Sequence, residues 1–182
     1  MRLKLTLIIS LLTISNWSYA LTVDEAYQSI PHKRTEYSAE KSTLPLNTKI
    51  ELEKLFKISD RALVGRIETM KGLSQGHAEV YNGYQTKIDA ILNELSETLE
   101  PEGVQLATLL KSAISSQRDY FKNWHDALAA GKTFHSPGSD SDVQKASSAL
   151  RQLYSVLMTR YRTESPNNVD AFYQHLCALD FL

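Results

Sequence analysis

The chain has 182 residues, of which 42% are hydrophobic and 23% are charged, and its formal net charge is −1. This balance lacks the strong excess of lysine and arginine that releases counterions from a polyanion, so it argues against a nucleic-acid partner. The length is within the range of one domain with a sizeable core.

The first 20 residues have the three-part pattern of a secretory signal peptide. Arg2 and Lys4 precede a mostly apolar run over residues 5–14. The segment ends in Ser18-Tyr19-Ala20, where the small residues Ser18 and Ala20 occupy the two positions that a signal peptidase reads. Polar residues interrupt the run before it reaches the roughly 20 apolar residues of a membrane-spanning helix. We therefore predict cleavage of residues 1–20, a periplasmic or secreted location, and no stable membrane span after cleavage.

Residues 21–46 predict a short helix followed by an extended segment. Thr22 and Glu25 have the spacing of a capping box at the start of a helix over residues 22–30, and Pro31 closes it. Residues 31–46 are polar and contain two prolines, which indicates a segment that wraps over the surface.

Four long amphipathic helices follow, because apolar residues recur every three to four positions. In the third of these helices the apolar stripe begins at Val104. The glycines at 65 and 83 lie inside the first and second helices, where they predict close contacts between helices. The first helix runs from its cap Asn47 to the glycines at 72 and 76, the second carries apolar residues from Val80 to Leu99, the third runs from Pro101 to Gly131, and the fourth carries apolar residues from Val143 to Tyr161.

A shorter fifth helix begins at the cap and first-turn pair Ser165-Pro166. It carries the single cysteine, Cys177, which is predicted to be a small buried residue, since free cysteines are among the most buried types. No segment alternates with the period of a strand. The fold class is therefore all-α: an up-down-up-down four-helix bundle over residues 47–182, with the N-terminal segment and the fifth helix outside it or capping one end.

Antiparallel connection places five polar side chains at one level, halfway along the bundle: Arg66, Tyr84, Gln117, Tyr120 and Tyr154. A buried guanidinium needs acceptors, because an unpaired buried charge costs several kcal/mol, so this cluster is a candidate site for an anionic or aromatic ligand. The alternative is that Arg66 and Arg118 lie at the stripe edge and keep their guanidinium groups in water, while the tyrosines bury their rings and expose their hydroxyls. The ordinary behaviour of these side chains favours the alternative.

Two further clusters carry candidate chemistry. One end of the bundle brings together imidazole and carboxylate groups that could suit zinc, copper or nickel, although their spacing within helices is not that of a metal motif; these are His77, His125, Asp126 and His135. The loop after the first helix is cationic and could meet an anion or an acidic partner through the arginine fork; it contains His32, Lys33 and Arg34. Solvated surface residues are the simpler interpretation of both clusters.

The sequence contains no catalytic or phosphate-binding motif, so nothing in it supports an enzyme. The first functional hypothesis is an exported, non-catalytic bundle that binds an envelope protein or a small ligand. The alternative is a bundle that binds a metal or a non-covalent haem, since bundle interiors host such sites. No cofactor follows from the residues themselves.

Overall fold

The computed structural model describes residues 21–97, 101–134 and 137–181, with the backbone alone at residues 101 and 102. This part of the chain is helical and contains no strand, which confirms the predicted all-α bundle. The predicted signal peptide lies outside the described residues, as do Leu99 and His135. The helices are α1 (Val23–Gln28), α2 (Leu46–Ser74), α3 (Val80–Ser96), α4 (Pro101–Ala129), α5 (Ser141–Arg160) and α6 (Pro166–Leu179), with a short 3-10 helix at Pro137–Ser139.

Local capping signals place most of the helix starts where the sequence predicts them. The Thr22 hydroxyl accepts from the Glu25 N–H, and the Glu25 carboxylate accepts from the Thr22 N–H at 2.8 Å, so the predicted capping box is present. Ser165 caps α6 as expected. Asn47 is not a cap, because α2 already begins at the preceding residue and Pro45 occupies the cap position.

The helices pack in chain order, with α2 on α3, α3 on α4 and α4 on α5, while α1 packs on α2. α6 contacts both α2 and α5 and lies between them as a full member of the bundle. The prediction that the last helix packs outside or caps an end is therefore wrong. Its buried face includes the polar residues Asn168 and His175, so the apolar stripe alone underestimates how much of α6 is buried. Cys177 lies on α6 as expected but is only partly buried.

The segment between α1 and α2, which we call the wrap, lies over the surface of the bundle, as predicted. The Tyr37 ring stacks on Phe56 of α2 and Phe172 of α6, with centroid distances of 5.4 and 6.0 Å. The Asn168 side chain bonds to both backbone groups of Ser38, at 2.9 and 3.0 Å. The wrap is therefore fixed to the bundle by an aromatic stack and by a two-sided amide contact.

Gly72 lies where α2 packs tightly against the start of α3. A Cβ at this position would lie 2.6 Å from Cγ1 of Val80, whereas a Cβ at Gly65 would meet Tyr84 at an ordinary 3.5 Å, and one at Gly83 would meet no atom of the described residues within 4 Å. The predicted close contact at Gly83 is therefore wrong, and the tight position is the glycine predicted only to end the helix.

We expect Gly72→Ala to lower the free energy of unfolding by about 1 to 3 kcal/mol, because the new methyl group overlaps a stiff β-branched side chain. Urea denaturation of Gly72→Ala, Val80→Ala and the double variant measures it. The double variant should lose less free energy of unfolding than the sum of the two single losses, since Val80→Ala removes the overlap. Strict additivity would show that the cost of Gly72→Ala does not come from overlap with Val80.

Candidate functional site

The predicted polar cluster lies in the core, and the chain itself occupies it. Arg66 is 4% exposed, its Nη2 donates to the Ala178 carbonyl at 2.6 Å, and its guanidinium lies 5.0 Å from the Phe181 ring centroid. Gln117 is 2% exposed and donates to the Leu179 carbonyl at 2.6 Å. The acceptor of the buried Arg66 guanidinium is therefore a carbonyl at the end of α6, where the helix dipole also favours a cation.

Burial dominates the electrostatics of this cluster. It lowers the pKa of the Arg66 guanidinium to about 10 and raises the pKa of the Tyr120 hydroxyl to about 12. Among the described residues, neither the buried Tyr120 hydroxyl nor Nε of Arg66 has a hydrogen-bond partner. The prediction that arginine heads stay in water holds for Arg118, which is partly exposed and paired with Asp89 at 3.0 Å, and is wrong for Arg66.

Four of the five predicted residues come together around the C-terminal segment. Tyr84 and Tyr120 are buried, and both rings contact Phe121 at about 5 Å. Tyr154 does not join them, because it is only partly buried and its ring contacts Tyr173 on the surface of α6. An external ligand at this level would have to displace residues 178–181, so we do not place the candidate site here.

The predicted metal cluster is brought together only in part. His125 reaches the turn between α2 and α3, where its Nδ1 lies 2.9 Å from the Ala78 carbonyl and its ring stacks on Tyr81. His77 is exposed in that turn, and Asp126 pairs with Lys122 at 2.6 Å. Within residues 21–97, 101–134 and 137–181, no three histidine, cysteine or acidic side chains are grouped as metal ligands. With His135 undescribed, the four-residue site stays a prediction.

The cationic loop binds carboxylates of the chain itself. Arg34 lies 2.5 Å from Asp24 of α1, 2.8 Å from Glu36 of the wrap and 3.9 Å from Asp60 of α2. Lys33 is exposed and His32 is partly buried. The guanidinium fork therefore ties the wrap to α1 and α2, and contact of these three residues with an external anion stays a prediction.

A pocket that the sequence did not reveal opens at the end of the bundle where α2 and α4 begin and α3 and α5 end. It has a volume of about 400 Å³. We call it the end pocket. Its floor consists of buried, mainly aliphatic side chains from α2, α3 and α4 and from the residue that follows α5: Leu52, Leu55, Ile58, Leu95, Leu106, Ala107 and Tyr161. Among its described lining residues, the charged side chains are Glu51 and Lys54, one turn apart on α2.

Exposed apolar residues surround this end of the molecule. Leu46 and Ile50 lie one turn apart at the start of α2 and are 64% and 49% exposed. Val104, at the start of α4, is 45% exposed, although it was predicted to begin the buried stripe. Three of the four large hydrophobic side chains exposed in the described part of the chain therefore lie at the helix starts that border the end pocket.

Comparisons with known protein families, with curated proteins and with solved structures give no match to this chain. In the described residues, no helix is both long enough and apolar enough to cross a bilayer.

Helical periodicity could not reveal the end pocket. It identifies which residues face inward, and Leu52 and Leu55 do so, but it does not say whether the ends of neighbouring helices meet or diverge. The one sequence feature that could have indicated this pocket is the start of α4, where either Val104 or Leu106 could face inward. The structure buries Leu106 to 2% exposure and leaves Val104 outside.

Proposed function

We propose that this chain is exported to the periplasm or secreted, and that it binds a small apolar ligand in the end pocket without catalysing a reaction. The observation that carries this proposal is the end pocket itself, about 400 Å³ with a floor of buried apolar side chains. Ligand sites in proteins typically have volumes of about 300 to 1,000 Å³ and combine an apolar lining with a few polar groups. The signal-like residues 1–20 support the location.

The chemistry of the lining favours binding over catalysis. The floor offers contact area to an alkyl chain or a ring but no nucleophile beside a base. Glu51 and Lys54 are the partly exposed charged residues of the lining and can orient a polar end of the ligand. The lining includes no histidine or methionine among the described residues, so the alternative haem site would not gain an axial ligand here.

We expect the mature protein to bind the apolar fluorophore N-phenyl-1-naphthylamine with saturable fluorescence enhancement. Ala107→Phe should weaken this binding at least about tenfold, since the ring fills the space next to Leu106 that the probe needs. Filling a pre-existing pocket leaves the fold intact or stabilises it, so the thermal midpoint should not fall. Fluorescence titration and thermal denaturation measure both effects.

The matched control is Ser112→Phe, which places the same ring on the exposed surface of α4, outside the lining. It should leave probe affinity unchanged. Equal binding to the wild type and Ala107→Phe would locate the probe elsewhere, and a wild type that binds no apolar probe would remove the basis of the proposal.

A further inference from the structure

Leu21, the residue that follows the predicted cleavage site, is held at a carboxylate. Its backbone nitrogen lies 2.8 Å from Oε1 of Glu68, and its side chain packs against the core. The next residue, Thr22, caps α1. Leu21, the first residue of the predicted mature chain, is therefore already fixed on the bundle.

The Glu68 carboxylate accepts from two nitrogen donors, one at each oxygen. Oε2 accepts from Nζ of Lys87 on α3 at 2.7 Å, which leaves Oε1 to Leu21. The Glu68 side chain is 26% exposed, so solvent screens it only in part. These residues line a cleft of about 590 Å³ between α2 and α3, in which Glu68 is the carboxylate and Lys71, Lys87 and His77 are the basic groups among the described lining residues.

Signal-peptide cleavage would change the chemistry of the atom that faces Glu68. Hydrolysis consumes one water molecule and breaks the C–N bond between Ala20 and Leu21, which leaves a carboxylate on Ala20 and an α-ammonium group on Leu21. The neutral amide that donates one hydrogen bond becomes a cation with three donors at the same place. The contact with Glu68 then becomes a charge-assisted ion pair.

We infer that Glu68 is the binding site for the mature N-terminus, and that signal peptidase cleaves between Ala20 and Leu21 to create the α-ammonium group that this site receives. This inference rests on the proposed export. Cleavage one residue earlier or later would move the charge by about 3.8 Å along the chain, away from the Glu68 oxygen. The structure thus links the position of the processing site to a particular carboxylate of α2.

The test uses the full chain expressed with its leader and recovered from the periplasm of a bacterial host. Intact mass and N-terminal sequencing should show a chain that starts at Leu21. At near-neutral pH, an amine-reactive reagent should label the Leu21 α-amine about 2- to 5-fold more slowly in the wild type than in Glu68→Gln, because an ion pair of the usual surface strength favours the unreactive ammonium form.

Glu94→Gln is the matched control, because Glu94 also pairs with a cation, Arg61 at 2.5 Å, and lies two helical turns from Lys87. It should not change the labelling rate. A second control carries one glycine before Leu21, and in it the effect of Glu68→Gln should disappear.

The outcomes separate this inference from the export on which it rests. A periplasmic chain that starts at Leu21 but is labelled equally in the wild type and in Glu68→Gln overturns the binding site and leaves export standing. A periplasmic chain with another first residue does the same. A chain that keeps residues 1–20 and stays in the cytoplasm overturns both.

Discussion

A chain that ends before Ser165 is expected to lose its cooperative fold. Without α6, the faces of α2 and α5 that pack on this helix become exposed to water. Burial of the three large side chains Phe172, Leu176 and Leu179 contributes about 5 to 9 kcal/mol by itself. The total stability of a domain is about 5 to 15 kcal/mol, so the loss is of the same size as the whole.

The same truncation also leaves buried polar groups without partners. Arg66 and Gln117 donate to the Ala178 and Leu179 carbonyls, and both would lose these acceptors while still lying inside the bundle. A buried donor without an acceptor costs about 1 to 3 kcal/mol, and a charged one costs more. We therefore expect residues 21–164 to keep helical circular dichroism but to melt without a sharp transition and to bind a hydrophobic dye.

Two neighbouring residues on α6 supply graded controls for this prediction. Phe172 is fully buried and stacks on Phe56 at 5.4 Å, so Phe172→Ala should cost about 3 to 5 kcal/mol. Tyr173 is 48% exposed, so Tyr173→Ala should cost about 0.5 kcal/mol. A truncated chain with the thermal midpoint of the full chain, or equal effects of the two point variants, would show that α6 is peripheral after all.

The features that the sequence predicted correctly depend on residues close together in the chain. The capping box at Thr22, the cap at Ser165 and the helical periodicity each act over one or two turns, and each is present in the structure. The place of α6 between α2 and α5 depends on contacts between distant segments. Polar residues on its buried face, such as Asn168 and His175, have partners on the wrap and on Asp60 that helical periodicity does not identify.

For the candidate sites, too, local features were predicted correctly and contacts between distant segments were not. Counting from the loops correctly placed Arg66 and Gln117 near Tyr84 and Tyr120, because short connections fix the level of antiparallel neighbours. It could not show that the ligand position is filled from within, since the acceptor of Arg66 is 112 residues away in the sequence. The end pocket was missed for a related reason: its lining residues come from segments far apart in the sequence, from Pro45 to Tyr161.

Glu164 is expected to be the polar side chain on which the wrap depends most. It is 6% exposed, and its carboxylate accepts four hydrogen bonds. Oε2 accepts from the hydroxyls of Ser42 at 2.5 Å and Tyr37 at 3.2 Å, and Oε1 accepts from the backbone N–H groups of Thr43 at 3.1 Å and Ser165 at 2.7 Å. Glu164→Gln replaces one acceptor oxygen with a donor, so about 2 to 4 kcal/mol of stability should be lost.

The pH dependence of this loss identifies its cause. Burial by itself raises the pKa of the Glu164 carboxyl, but the hydrogen bonds from Ser42, Ser165 and Thr43 outweigh burial and hold the pKa below its ordinary value. A carboxyl with a lowered folded pKa stabilises the fold above the unfolded value near 4.5, and this contribution disappears as the pH falls through the lower folded value. Denaturation of the wild type and Glu164→Gln should therefore differ by a constant amount at neutral pH and converge in acid.

Glu40→Gln is the matched control, because Glu40 lies in the same wrap and is exposed. It should change stability by less than about 0.5 kcal/mol at neutral pH. A gap between the wild type and Glu164→Gln that persists unchanged to strongly acidic pH would assign the effect to shape rather than to charge. The shape and the neutral hydrogen bonds of the carboxyl group would then hold the wrap, together with the Tyr37 stack and the Asn168 contact, and the negative charge of Glu164 would contribute little.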